Sequence, residues 1–297
     1  MVSLRPKKSE SPRRTRRSVS GRRLGFTLLE LLVVVGIIAL LVGILLPALA
    51  TGRAEGMKAK CLGNLHALGQ AFAAYSVDDL SGYTSPIHPK AETHWIWDGD
   101  YEYGGQTGRI AWGHPDFHAK NRMLNRYLFT DGHNTPFELY QCPGDNGIPR
   151  APLNHEPAFF TPGLEGLNLY QITGTSYRLS HHIDYLRRSP YDKHFYGPYM
   201  RPKTRVPNTG DTILLEEAIT EVAKWNAPTY VTTGWHRKVN IFNVMFVDGH
   251  AAPIHLVGRG DPLAASGNPN YWIWRGEGWR MDCYPDQPMP DRPQVSE

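Results

Sequence analysis

A single carboxylate lies at the start of the most apolar part of this chain. Glu30 directly precedes residues 31–52, which are 22 residues without a charge. A carboxylate inside a membrane helix costs about 2.5–3.5 kcal/mol even on lenient insertion scales. We therefore interpret Glu30 as a residue retained for pairing with a cation, and the alternative is an acidic residue tolerated near a membrane boundary.

Thirteen histidines could supply ligands for a transition metal. His114 and His118 have helical spacing, but Pro115 lies between them and disfavours the helix that such a pair requires. Further candidate ligands are His181, His182, His236, Asp248, His250 and His255. The chain has no H-E-x-x-H, paired C-x-x-C, G-x-S-x-G or phosphate loop. We expect hydrogen-bonded or exposed histidines, predict no catalytic residues and no enzyme activity, and leave metal ligands unassigned.

Two loops are rich in side chains with oxygen atoms and could bind a cation. They comprise Asp78, Asp79, Ser81 and Gly82, and Asp145, Asn146 and Gly147. Hard oxygen ligands of this kind suit calcium, although neither loop has the spacing of an EF-hand. We predict no cofactor, with Ca²⁺ at one of these loops as the alternative.

The first predicted structural element is an apolar segment long enough to cross a membrane. About 20 apolar residues cross a bilayer core, and residues 31–52 meet that length. Residues 1–25 carry nine basic side chains and one acidic side chain, so the positive-inside rule places them in the cytoplasm. A secretory signal cut after Ala50 would be unusually long, a twin-arginine signal at Arg22 and Arg23 has a poor context, and a plain signal anchor remains open.

The basic character of the chain belongs to its first 25 residues. Without them 23 basic and 27 acidic side chains remain, so the formal charge changes from +4 to −4. A nucleic-acid-binding surface is therefore not expected.

The residues from Gly25 to Glu30 closely resemble the N-terminal signal of type IV prepilins and type II secretion pseudopilins. The resemblance implies cleavage by prepilin peptidase between Gly25 and Phe26, N-methylation of Phe26, and a role for Glu30 in assembly. The new amine would be largely cationic near neutral pH, so Glu30 of one subunit can pair with Phe26 of the next. The implied partners are the peptidase, membrane lipid, and other pseudopilins or copies of this chain.

Helical periodicity continues beyond the apolar segment. The apolar positions Cys61, Leu65, Leu68, Phe72 and Tyr75 recur every three or four residues. Pro47 removes a backbone hydrogen bond and should kink the helix, as in the pilins that the segment resembles. We predict one helix from about Thr27 to Tyr75, with an interruption near Pro47 and Gly52 as the alternative.

Short strand-like runs at residues 212–216, 229–233, 239–247 and 251–256 predict an antiparallel sheet. Asp248 and Gly249 predict a two-residue type I′ hairpin. We therefore expect an α+β, pilin-like fold in which the long N-terminal helix packs on this sheet. The predicted domains are a cleaved leader at 1–25, the helix at 26–80, an extracytoplasmic domain at 81–284 and a disordered proline-rich tail at 285–297.

Further segments resemble a planctomycete-type group of pseudopilin-like proteins. They are Cys61, Asn64, Leu65, Leu68, Gly69 and Tyr75 on the helix, Cys142, Pro143 and Asp145, and Ser176 and Tyr177. His236 with Asp248 and Gly249 resembles the C-terminal His-x9-Asp-Gly motif, but eleven residues intervene here. The spacing is two residues longer than in the motif. Because side chains alternate between the two faces of a strand, His236 can still face the same side as it would with nine residues. The resemblance suggests a Cys61–Cys142 disulfide; pairings with Cys283, or three reduced thiols, remain open.

The sequence therefore favours a non-enzymatic pseudopilin-like subunit of a type II secretion or type IV pilus-like assembly. It would lie in the inner membrane, with a cytoplasmic N-terminus and a periplasmic or extracytoplasmic domain. The alternative is a membrane-anchored domain that depends on a metal or binds carbohydrate. The tryptophans that could stack on sugars are Trp95, Trp97, Trp112, Trp272, Trp274 and Trp279.

Overall fold

The structure is a computed structural model that describes residues 27–86, 101–109, 118–128, 137–148, 166–180, 197–199, 201–220, 223, 232–256, 275–281 and 283. The chain divides into two compact units, Met1–Leu49 and Ala50–Glu297. Several predictions lie outside the described residues: those on Gly25 and Phe26, the leader, the tail at 285–297, and His114, His181, His182 and five of the six tryptophans.

The dominant element is the helix α1, Leu28–Asp78, which is roughly 75 Å long at about 1.5 Å per residue. Thr27 and Glu30 form a capping box at its start. The Glu30 amide donates to Thr27 Oγ1 at 3.2 Å, and the Thr27 amide donates to Glu30 Oε2 at 2.8 Å. Pro47 lies inside α1, and the helix continues past Gly52, so the alternative of a broken helix is wrong.

In the first unit, the apolar side chains of α1 are exposed. Leu32, Ile38 and Leu45, for example, are each more than half exposed. Among the described residues, α1 is the one helix long and apolar enough to cross a membrane. Because water is a poor solvent for a surface of this kind, the finding fits a single membrane anchor.

In the second unit, the C-terminal part of α1 buries one face. The predicted stripe of Cys61, Leu65, Leu68, Phe72 and Tyr75 is confirmed, since each of these side chains is at most 4% exposed. They belong to the main hydrophobic core of the unit together with residues of the sheet. The helix therefore changes within one element from an apolar surface to an amphipathic one.

The core of the second unit is built on a four-stranded antiparallel sheet in the order β1-β2-β3-β4. Its strands are Tyr177–Leu179, Ile213–Glu217, Ile241–Phe246 and Ala251–His255. A second sheet pairs β5, Arg275–Gly276, with β6, Trp279–Arg280. The predicted α+β class with an antiparallel sheet is confirmed. The predicted run at 229–233 is described only from Thr232, and Thr233 forms an isolated bridge with Val239.

The connection between β3 and β4 differs from the predicted two-residue turn. The Phe246 amide donates to the His250 carbonyl at 2.9 Å, which leaves residues 247–249 as a three-residue loop. Gly249 has φ +97°, whereas Asp248 does not have a positive φ, so type I′ is wrong. Gly249 also approaches α1 closely, because a Cβ on Gly69 would lie 2.6 Å from the Gly249 carbonyl oxygen.

Candidate functional site

Four side chains of metal-ligand type meet inside the second unit. Cys61 comes from α1, Cys142 from the turn after a 3₁₀ helix at Phe137–Tyr140, Glu217 from the end of β2, and His236 from the turn before β3. The side chains of Cys61, Cys142 and Glu217 are fully buried, and His236 is 4% exposed. One donor atom from each lies within 4.8 Å of the others. This buried cluster is the strongest candidate site among the described residues.

The sheet register positions Glu217. Tyr177 on β1 lies directly opposite Glu217 on β2, so both side chains project from the same face. The Tyr177 hydroxyl donates to Cys61 Sγ at 3.4 Å. On the other neighbouring strand, the Asn243 amide donates to Glu217 Oε2 at 3.1 Å, and Asn243 Nδ2 donates to Oε1 at 3.0 Å. Asn243 on β3 therefore fixes the carboxylate directly, while Tyr177 on β1 contacts the adjacent Cys61.

A tight turn presents Cys142. The Asp145 amide donates to the Cys142 carbonyl at 3.0 Å, and Asn64 of α1 donates to the Gln141 carbonyl at 2.9 Å. Gly144 is required there by a close approach, since a Cβ would lie 2.9 Å from the Trp235 carbonyl oxygen and 3.3 Å from the His236 ring. The glycine thus lets the His236 segment reach Cys142.

The turn that carries His236 is anchored by its neighbours. The buried Trp235 donates through Nε1 to the Gly147 carbonyl at 3.0 Å. The Gly234 amide donates to the Lys238 carbonyl at 2.9 Å, and Arg237 adopts φ +59° within the turn. These contacts direct the imidazole inward, while Lys238 forms an exposed ion pair with Glu55 of α1 at 2.9 Å.

Glu217 Oε1 is the shared centre of the cluster. It lies 2.7 Å from His236 Nε2 and accepts from Cys61 Sγ at 2.9 Å and Cys142 Sγ at 3.6 Å. Cys142 Sγ is also 3.3 Å from His236 Nε2. Both cysteines are free thiols, as is Cys283, so the predicted Cys61–Cys142 disulfide is not formed in the structure.

Burial and hydrogen bonding set the protonation of the cluster. Burial raises the pKa of Cys61 well above its usual value and also raises the pKa of Cys142. Burial alone would lower the pKa of His236, but its hydrogen bonds with Cys61 and Glu217 outweigh that effect and raise the pKa to about 9. Burial thus favours neutral thiols at both cysteines, and the hydrogen bonds favour the protonated imidazole of His236. His236 Nδ1 is buried and has no hydrogen-bond partner in the described part of the chain.

The structure separates His236 from Asp248. His236 lies in a turn rather than on a strand, so the expectation that it faces the same side of a strand is wrong. Asp248 is exposed and accepts from His250 through the amide at 3.0 Å and Nδ1 at 2.7 Å. The His250 ring stacks on Phe246 with centroids 4.1 Å apart. The two parts of the predicted motif therefore act at different places.

In both oxygen-rich loops, carboxylates accept hydrogen bonds from nearby backbone amides. Asp145 accepts from the amides of Gly147, Leu169 and Tyr170 at 2.9–3.0 Å and from Ser176 Oγ at 2.6 Å. Burial raises its pKa, and these four hydrogen bonds oppose that shift. Asp79 accepts from the Tyr83 amide at 2.9 Å. Calcium at either loop stays a prediction, and at Asp145 it would have to displace existing hydrogen bonds.

An open groove of about 430 Å³ lies beside the β3–β4 loop, and its lining includes Phe246, His250, His255 and Trp279. Trp279 is the one candidate sugar-stacking tryptophan among the described residues. It is 7% exposed, and its indole lies against Gly276. Its ring is therefore used mainly for packing.

Two functional features were missed by the sequence reasoning. Glu217 was not singled out because the predicted strand ended at residue 216, although a second acid at the end of an apolar strand is a usable signal. The capping box of Thr27 and Glu30 also has a standard sequence signature, Thr-x-x-Glu before an apolar run.

Comparison with known proteins identifies the N-terminal segment. The model of the prokaryotic N-terminal methylation motif matches residues 21–46, a range that contains Gly25, Phe26 and Glu30. The chain thus carries a prepilin-like signal, which supports a type IV pilin-like or pseudopilin class. No curated protein and no solved structure matches the chain.

Proposed function

We propose that this chain is a structural, pseudopilin-like subunit of a type II secretion or type IV pilus-like assembly. The observation that carries the proposal is the methylation motif at residues 21–46, which leads directly into α1. The apolar half of α1 would serve first as a membrane anchor and then as the packing surface between subunits. The partners are other pseudopilins or further copies of this chain.

We infer that prepilin peptidase cuts between Gly25 and Phe26 and that Phe26 is then N-methylated. The cut would leave a cationic amine one residue before Thr27, at the N-terminus of α1. A cation there opposes the helix macrodipole, so an acidic group nearby is favourable. Glu30 occupies the first turn and is fixed by Thr27, with Oε2 bound to the Thr27 amide and hydroxyl at 2.8 Å each. A carboxylate held in this way is suited to meet the amine of a neighbouring subunit.

The same proposal sets the topology. The nine basic residues before the cut would stay in the cytoplasm, and the second unit would lie on the far side of the inner membrane. We also propose that the chain is not an enzyme. The buried cluster supports this, because each of its four side chains is at most 4% exposed.

Mass spectrometry of the mature N-terminus tests the processing step. We expect a chain that begins with N-methyl-Phe26 in the wild type and unprocessed precursor in Gly25→Val. Gly21→Val is the matched control, because it makes the same substitution in the leader and should be processed normally. A mature chain that begins at Thr51 would instead identify a secretory signal and refute the proposal.

A pair of substitutions separates assembly from helix capping. Glu30→Gln removes the charge but can still accept from the Thr27 amide, whereas Thr27→Ala keeps the charge and loses a cap that is worth about 1 kcal/mol. Cysteines introduced along residues 31–45 report contacts between subunits by crosslinking. The proposal expects crosslinking to fall in Glu30→Gln and to persist in Thr27→Ala. The reverse order would assign Glu30 to capping alone.

A further inference from the structure

We propose that Cys61, Cys142, Glu217 and His236 form a structural transition-metal site, and that Zn²⁺ is the ion it takes. The site is independent of the N-terminal signal, so it would stand even if the proposed assembly role failed. It would fasten α1, through Cys61, to β2 and to the turns that carry Cys142 and His236.

The ligand set selects the ion. Two cysteine sulfurs, one imidazole nitrogen and one carboxylate oxygen are all donors that zinc accepts. The soft thiolates disfavour calcium and magnesium, which require oxygen ligands. Four protein ligands in a buried position complete a tetrahedron without a place for water, and this is the pattern of a structural rather than a catalytic zinc site.

The distances between donor atoms are close to those of a tetrahedral site. With ligands at about 2.0–2.3 Å from zinc, donor atoms in a tetrahedron lie about 3.3–3.8 Å apart. Cys142 Sγ already meets this range, at 3.3 Å from His236 Nε2 and 3.6 Å from Glu217 Oε1. Glu217 Oε1 is closer to His236 and Cys61, at 2.7 and 2.9 Å. A shift of the carboxylate by about half an ångström would make room for the ion.

The protons and charges balance. Zn²⁺ would bind the two cysteines as thiolates, His236 as a neutral imidazole and Glu217 as a carboxylate, and the protons that these groups carry would be released to solvent. The metal-bound cluster would have a formal charge of −1. No redox partner or further reactant is needed.

The surrounding donors are arranged to support that negative charge. Tyr177 donates its hydroxyl to Cys61 Sγ at 3.4 Å, and Asn243 donates twice to Glu217. The Gly144 amide donates to the Cys142 sulfur. Outer donors that orient ligands and hold their charge are a regular feature of protein metal sites.

The first test uses the full-length wild-type chain, purified in detergent. Elemental analysis should find about one zinc per chain. After removal of zinc, titration with Co²⁺ should give the visible bands of tetrahedral cobalt and a near-ultraviolet thiolate-to-cobalt charge-transfer band. These spectra report the thiolate ligands directly and need no variant. The proposal is overturned if zinc is absent and the cobalt bands do not appear, or if the protein isolated without reductant contains a Cys61–Cys142 disulfide.

Variants then locate the ion. Cys142→Ser and His236→Gln should lose the zinc and the cobalt spectrum, whereas Cys283→Ser and His250→Gln are matched controls that should keep both. Because a ligand variant can fail to fold, Tyr177→Phe provides a milder test that removes only the hydroxyl. It should weaken zinc binding about 10-fold or more, as outer-shell changes do. Zinc that stays at full occupancy and affinity in Cys142→Ser and Tyr177→Phe would contradict the proposal and place the ion elsewhere.

Discussion

The contact between Gly69 of α1 and Gly249 of the β3–β4 loop is open to a direct test. A Cβ on Gly69 would lie 2.6 Å from the Gly249 carbonyl oxygen and 2.9 Å from its Cα. Ordinary contacts of a Cβ begin near 3.4 Å, so the two backbones would have to separate by about 0.8 Å. Backbone atoms cannot rotate aside as a flexible side chain can. We therefore predict that Gly69→Ala destabilises the second unit.

Two opposing free-energy changes set the size of this effect. Replacement of glycine by alanine inside a helix stabilises it by about 0.8–1.0 kcal/mol. Overpacking of a tight contact costs about 1–3 kcal/mol, and contact with backbone favours the upper part of that range. The net effect of Gly69→Ala is a loss of about 1–2 kcal/mol. At about 2–4 °C per kcal/mol for a domain of this size, Tm should fall by about 2–8 °C.

Gly63→Ala is the matched control on the same helix. Gly63 is exposed, and a Cβ there has nothing within 4 Å, so only the gain in helix propensity remains. Its Tm should rise by about 2–4 °C. Thermal unfolding of both full-length variants in the same detergent measures the difference. If Gly69→Ala raised Tm as much as Gly63→Ala does, the close packing of α1 on the β3–β4 loop would be refuted.

Three further substitutions test the packing and hydrogen bonding of the second unit through the same Tm measurement. Gly249→Val should cost about 1–3 kcal/mol because φ is +97° there, and Gly249→Asn should cost less; equal losses would contradict this. Asp145→Asn turns an acceptor of four hydrogen bonds partly into a donor and should cost about 1–3 kcal/mol; an unchanged Tm would count against that network. Arg122→Met should cost at least about 2 kcal/mol because the buried guanidinium donates to the carbonyls of Tyr101, Gly104 and Thr173, and a neutral result would refute its bridging role.

The elements with local signals were predictable from the sequence. An apolar run and a continuing three-and-four spacing predict a helix from about Thr27 to Tyr75, which agrees with α1, Leu28–Asp78, to within three residues. The strands β2, β3 and β4 follow from short apolar runs and the glycine turn after Asp248. Each of these signals arises within a few neighbouring residues, so no knowledge of the fold is required.

The buried cluster had no such signal. Cys61 and Glu217 are 156 residues apart, and Cys142 and Glu217 are 75 residues apart, so no local spacing motif connects them. The predicted strand also ended one residue early. Neighbouring residues of a strand face opposite sides, so Glu216 meets Arg178 at 3.9 Å while Glu217 faces the cysteines. An error of one residue in the predicted end of the strand therefore decides whether the prediction includes Glu217, which belongs to the site, or stops at Glu216, which pairs with Arg178.

The pattern of His236, Asp248 and Gly249 acquires a structural meaning from its contacts with α1. His236 meets the cluster that contains Cys61, and Gly249 lies against Gly69, so both ends of the pattern contact the same face of one helix. These two positions on α1 are about 12 Å apart at about 1.5 Å per residue. The strand β3, Ile241–Phe246, lies between His236 and Asp248 in the chain and connects the two contacts. His236 and Gly249 flank β3 in the chain, so the segment that contains β3 contacts α1 on both sides of the strand.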